Sequence, residues 1–130
     1  MSKTPTLHQL ANAKYISLRT FRKNGTSVHV PVWPVLHEDR IWVRTTGETF
    51  KAKRLRQNPR AEIALCNASG KQILSEFVPA QGRVLDDLAS SEAARQLLNA
   101  KYGWQSTLIR LIHKYLRGDP QMVVLELTLT

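Results

Sequence analysis

Tyr15-Ile16-Ser17-Leu18-Arg19-Thr20-Phe21, followed by Arg22-Lys23-Asn24-Gly25-Thr26 and Ser27-Val28-His29-Val30, is the stretch from which the rest of the chain can be read. Ile16, Leu18 and Thr20 alternate with Tyr15, Ser17 and Arg19, the period of two that belongs to a strand with one buried face. Asn24-Gly25 suits the positive φ angles of a type I′ turn, so the chain is expected to reverse there into an antiparallel hairpin. The return strand, read over residues 26–36, contains Pro31 and Pro34. Neither can donate to a ladder, so part of this strand should lie at a sheet edge or form a bulge.

Working outward, His37-Glu38-Asp39-Arg40 reads as a turn into a short strand at 41–45. A helix carrying Lys51, Lys53, Arg54 and Arg56 should follow, stopped at Asn58-Pro59 because proline disfavours helix at the residue before it. Residues 61–66 and 76–85 read as strands around a loop at Asn67-Ala68-Ser69-Gly70, and Pro79 and Gly82 suggest that the second of them is curved. Ser90-Ser91-Glu92 marks a helix start, with Gly103 ending that helix after Tyr102. A second helix is expected over 106–117, where an apolar stripe faces away from Arg110, His113, Lys114 and Arg117. Residues 122–130 alternate again. These elements make about six strands and two or three helices without repeated βαβ units. The expected fold is mainly β: an antiparallel barrel with helices packed outside it, in a single domain covering residues 1–130.

Composition narrows the function. The 130 residues are 42% hydrophobic, enough for a core without disulfide or metal staples, and the formal net charge of +9 points to an anionic partner. Cys66 is the only cysteine, and residues 1–9 lack the apolar core of a signal peptide, so a cytoplasmic location is expected. No apolar run approaches the length of a membrane helix. The dispersed histidines His8, His29, His37 and His113 match no metal-ligand spacing, so no metal is expected. No GxSxG or Cys-His signature marks a nucleophile, and chemistry, if there is any, would reside in a cofactor.

Residues 41–60 carry the anion signal. Arg44, Thr45, Thr46 and Gly47 precede a helix whose first N–H groups and macrodipole favour negative charge. Lys51 and Arg54, three apart, share one face of that helix and can grip the same phosphate. A basic run of this kind is also the ordinary pattern of a solvated helix face, and spacing alone leaves both readings open. Neither Walker A nor GxGxxG spacing is present, so a P-loop or Rossmann site is not expected.

The motifs Tyr15-Ile16-Ser17-Leu18-Arg19-Thr20-Phe21, Asn24-Gly25-Thr26, Pro31-Val32-Trp33, Trp42-Val43-Arg44-Thr45, and the run from Lys51 through Asn58-Pro59-Arg60 occur in that order. With Gly82-Arg83-Val84-Leu85 and Lys101-Tyr102-Gly103-Trp104, they span nearly the whole chain. In this set the chain resembles the pyridoxamine 5'-phosphate oxidase-like split β-barrel superfamily, most of all its small deazaflavin-dependent branch. The resemblance implies a homodimer of split barrels with cofactor sites between the subunits. It implies that Arg44, Thr45, Thr46, Lys51, Lys53 and Arg54 hold the cofactor phosphate, and that Pro31, Val32 and Trp33 lie along its ring system. Trp104, behind the helix end at Gly103, reads by default as core or interface packing, and a role in the partner's cofactor groove is the lesser alternative, resting on the enrichment of aromatics at interfaces. Pro34 lacks an N–H where family members often carry one, and Glu48 sets a negative charge beside the proposed phosphate. No counterpart of the C-terminal substrate-phosphate motif of true pyridoxamine phosphate oxidases is found, so that activity is not expected.

The function implied is hydride transfer from reduced deazaflavin coenzyme F420 to a small molecule. FMN or haem on the same fold are the alternatives, and a basic nucleic-acid-binding barrel is a rival from another class. Aromatic residues make up only 7% of the chain and are not interleaved with the basic run, which argues against a stacking platform for bases. Tyr15 and His29 are the candidate proton donors; no catalytic residue is assigned.

Overall fold

The computed structural model describes residues 4–47, 49–103 and 122–130. Among these residues, seven antiparallel strands form one curled sheet: β1 (Ile16–Phe21), β2 (Ser27–Val32), β3 (Val35–His37), β4 (Arg40–Thr46), β5 (Arg60–Leu65), β6 (Val78–Leu85) and β7 (Met122–Leu129), in the order β2-β1-β5-β6-β7-β4-β3. The two edge strands β2 and β3 are joined by Trp33-Pro34 alone, so the sheet curls until its edges meet at that corner. The expected mainly β, antiparallel barrel architecture is present, as a curled half-barrel sheet. Its strands number seven rather than six because the return strand read over 26–36 is broken in two. Pro34, fully buried and without an N–H, cannot continue the ladder.

Strand alternation builds two cores. Ile16 and Leu18 of β1, Ile41 and Val43 of β4, Ile63 of β5, and Val123, Leu125 and Leu127 of β7 fill the barrel interior. On the outer face, Val35, Trp42 and Val124 pack against Ala94, Leu98 and Tyr102 of a helix. Strands β4 and β7 are therefore buried on both faces at the centre of the molecule. On the outer face, two residues from Val124, Glu126 is 5% exposed and stands opposite Trp42 and Arg83 in the ladder. Its carboxylate accepts from Trp42 Nε1 at 3.0 Å and Arg83 Nε at 2.7 Å. Burial works to raise the Glu126 carboxyl. The Trp42 N–H, the Arg83 hydrogen bond and charge, and the Arg40 charge outweigh it and hold the group below its ordinary value.

Three helices accompany the sheet among the described residues: α1 (Leu7–Asn12), α2 (Phe50–Gln57) and α3 (Leu88–Tyr102). Helix α1 lies in a stretch for which the sequence reading assigns no element. It is held by a capping box in which Thr6 accepts from Gln9 N–H and the Gln9 side chain returns to Thr6 N–H, and it sends Leu10 and Ala11 into the interior. Helix α3 starts at Leu88, two residues before the expected Ser90, because Asp87 accepts from Ser90 N–H and takes the cap. The expected helix over 106–117, with Arg110, Lys114 and Arg117, lies outside the described residues, as do Trp104 and Glu48.

The two hairpin turns exchange roles. Arg22 O accepts from Gly25 N–H, Arg22 N–H donates to Thr26 O, and only Gly25 has positive φ, at 90°. This is a three-residue loop with a glycine bulge, not the expected type I′ turn at Asn24-Gly25. Asn24 is used differently: its side-chain oxygen accepts from Thr26 N–H at 3.0 Å, so its own backbone has no need of the left-handed region. The two-residue loop of positive φ is Glu38-Asp39, at 48° and 62°, between the paired residues His37 and Arg40.

Candidate functional site

Along β2 the inward side chains become less covered toward the hairpin: Val32 is buried, while Val30 and Val28 are half-buried. The interior face exposed there forms one wall of a groove of about 540 Å³. Thr20 of β1 and Thr46 at the end of β4 also line it, and Thr49, Phe50, Lys51 and Arg54 of the α2 region close the opposite side.

Thr46, Gly47 and Thr49 set the corner from which α2 projects. Thr49 caps the helix: its hydroxyl accepts from Ala52 N–H at 3.4 Å and donates to Thr46 O at 3.1 Å, while Thr49 N–H also donates to Thr46 O. Arg56 reaches back to donate to Gly47 O at 2.9 Å. Ala52 and Leu55 anchor α2 in the interior core. Leu55 fits closely against β6, since a Cβ at Gly82 would lie 2.8 Å from Leu55 Cδ2. With that face buried, Lys51 and Arg54 fall together on the groove side.

The electrostatics suit an anion. Burial pulls the Lys51 ammonium below its ordinary value. Among the described residues, neither Lys51 nor Arg54 takes part in an ion pair. A desolvated ammonium and a guanidinium lining one groove, with the hydroxyl-bearing Thr20 and Thr46 beside them, form a donor set matched to phosphate oxygens.

Of the residues expected at the site, Thr46, Lys51 and Arg54 come together in this groove. Lys53 is exposed on α2, its ammonium 5.9 Å from the Phe50 ring centroid. Thr45 is buried on the strand face it shares with Ile41 and Val43. Arg44 lies near enough to Glu92 of α3 to lower that carboxyl's pKa, as the last and least of several causes headed by the Arg95 hydrogen bond. Val32 belongs to the interior core. Pro31 is exposed, with Gly70 packed against its ring. Trp33 stacks on Tyr102 with centroids 4.4 Å apart, at the edge of the second core. Tyr15 and His29 are not among the groove's lining residues; His29 is exposed and meets Phe77 edge-on.

Thr20, Val28, Val30, Thr49 and Phe50 were not anticipated at the groove. Thr49 carried a signal, a hydroxyl directly before a helical run. Phe50 carried another, a lone aromatic leading four cations. Val28 and Val30 gave only strand alternation, which does not tell where a barrel opens.

A family model described as pyridoxamine 5'-phosphate oxidase matches residues 6–130. The chain belongs to this family. Solved structures similar to it include an F420 reductase, at 14% identity and a TM-score of 0.61, covering 98% of this chain and 96% of that one. The haem storage protein HutZ from Vibrio cholerae is similar at 14% identity and a TM-score of 0.66, covering 100% and 92%. A pyridoxamine 5'-phosphate oxidase-related, FMN-binding protein from Nostoc punctiforme is similar at 18% identity and a TM-score of 0.59, covering 95% and 74%. At these identities the likeness shows the split-barrel fold. No curated protein matches the chain by sequence. Among the described residues, no helix is long and apolar enough to cross a membrane.

Proposed function

We propose that this family member is an F420-dependent oxidoreductase, which transfers a hydride to a small electrophilic molecule and acts in the cytoplasm as a homodimer. The observation that carries the reading is the convergence of Lys51 and Arg54 with Thr20 and Thr46 on one groove. Lys51 and Arg54 hold the coenzyme's phosphate, Thr46 adds a hydroxyl, Thr49 fixes the corner through its bond to Thr46 O, and Lys53 draws further negative charge toward the rim. When bound, the coenzyme supplies the hydride; the protein binds it, orients it and excludes water from the anion contacts.

FMN is the second reading, and the same donor set supports it, because it too is a phosphorylated ring system. The +9 net charge favours the more acidic of the two coenzymes. Titration of the purified protein with F420, FMN and haemin, followed by tryptophan emission and ligand absorbance, separates them. The proposal expects saturable F420 binding by a dimer in sedimentation. Tight FMN or haemin binding without a response to F420 overturns it.

A further inference from the structure

Phe50 is 72% exposed, an unusual position for an aromatic on a helix of strongly basic composition. It lines the groove from the first turn of α2, on the side of the helix opposite the buried Ala52 and Leu55. Two cations flank its ring: the Arg54 guanidinium carbon lies 5.5 Å and the Lys53 ammonium 5.9 Å from the centroid. Phe50 and Arg54 are four apart and Phe50 and Lys53 three apart, so the helix itself sets these contacts. The ring is thus placed beside the guanidinium proposed to hold phosphate, at the solvent side of the groove.

We propose that Phe50 covers the phosphate-bearing arm of the coenzyme and excludes water from the Lys51 and Arg54 contacts, making it a residue that selects phosphorylated ligands. This deepens the reading of the groove given above and rests on it. A charge-assisted hydrogen bond gains strength as its surroundings dry, and a ring lying over the anion dries it from the solvent side of the groove. Apolar neighbours that shut water out of a polar contact act in the same way at protein interfaces. The contacts of Arg54 and Lys53 with the ring favour the orientation that does this.

The experiment compares Phe50→Ala, Phe50→Leu and wild type in titrations with two ligand pairs: F420 and its phosphate-free deazaflavin core, and FMN and riboflavin. Phe50→Ala is expected to weaken the phosphorylated member of each pair about 10-fold. The phosphate-free member should change by less than twofold, Phe50→Leu should restore most of the loss, and affinity should become more sensitive to salt in Phe50→Ala. An equal loss for both members makes Phe50 a platform for the ring system and overturns the proposal. Unchanged affinity overturns it too, as does a loss that tracks dissociation of the dimer in sedimentation. Absence of binding by wild type is a different result: it refutes the function proposed for the groove, and this inference falls with it.

Discussion

Replacing Lys51 by methionine should separate affinity from stability in opposite directions. Methionine keeps an unbranched stem of similar length and removes the charge. Each charge-assisted hydrogen bond to an anion is worth about 1.5–3 kcal/mol, and each 1.4 kcal/mol is tenfold in affinity, so the Kd for a phosphorylated coenzyme should rise about 10- to 150-fold. Lys51 should fall in the upper part of that range, because it is half-buried and its charge is poorly screened. Arg54→Met should fall in the lower part, because its guanidinium is also engaged with the Phe50 ring. Both side chains address the same group, so the double variant should lose less than the sum.

The apo protein should respond the other way. Burial lowers the Lys51 pKa in the folded state below its unfolded value, so the folded protein disfavours the proton, and the charge subtracts from stability at neutral pH. That penalty fades as pH rises through the unfolded lysine value of about 10.4. Lys51→Met should therefore melt higher than wild type near neutrality, with the two curves converging at alkaline pH. Ligand titration and thermal unfolding on the same preparations check both effects. A change in Kd below twofold, or a loss of stability together with affinity, would refute the assignment of Lys51 as an anion ligand held at a stability cost.

Further outcomes follow from the same structure. Glu126→Gln should destabilise by about 1–2 kcal/mol at pH 7, a figure reduced for the 67% exposure of the Arg83 side chain. Because the folded Glu126 pKa is depressed, its stabilisation is present above the unfolded value of about 4.3 and lost as pH falls through the folded one. Wild type and variant should then unfold alike in acid, as urea titrations across pH would show. Glu38→Asn with Asp39→Gly should stabilise the β3–β4 hairpin by about 1–2 kcal/mol in chemical unfolding, since both positions have positive φ. Gly82→Ala should cost about 1–3 kcal/mol and weaken coenzyme binding as well, because the new Cβ at 2.8 Å from Leu55 Cδ2 pushes on the anchor of α2.

The parts of this fold legible in the sequence are those set by short-range pattern. The alternation of Ile16, Leu18 and Thr20, the break at Asn58-Pro59 and the stop at Gly103 all correspond to elements near their expected bounds. Turn type was less legible, because Asn24 uses its side chain to cap the loop, and Glu38-Asp39 enters the left-handed region under the demand of a two-residue connection. Helix α1 has a local signal too, since Thr6-Leu7-His8-Gln9 carries the capping-box spacing. At the groove, helical spacing alone joined Lys51 to Arg54. The separation of Trp33 and Arg44 from them depends on which strand faces meet α3, a tertiary fact that alternation does not encode. The opening beside Val28 and Val30 depends likewise on how far the sheet curls.

Equilibrium dialysis of the wild-type protein at low ionic strength, against F420 and separately against its phosphate-free core, puts the basic groove to the most direct test. The account predicts that F420 is retained at least about tenfold more tightly than the core, with the gap narrowing as salt is added. Equal retention of the two, or retention of neither, would contradict it.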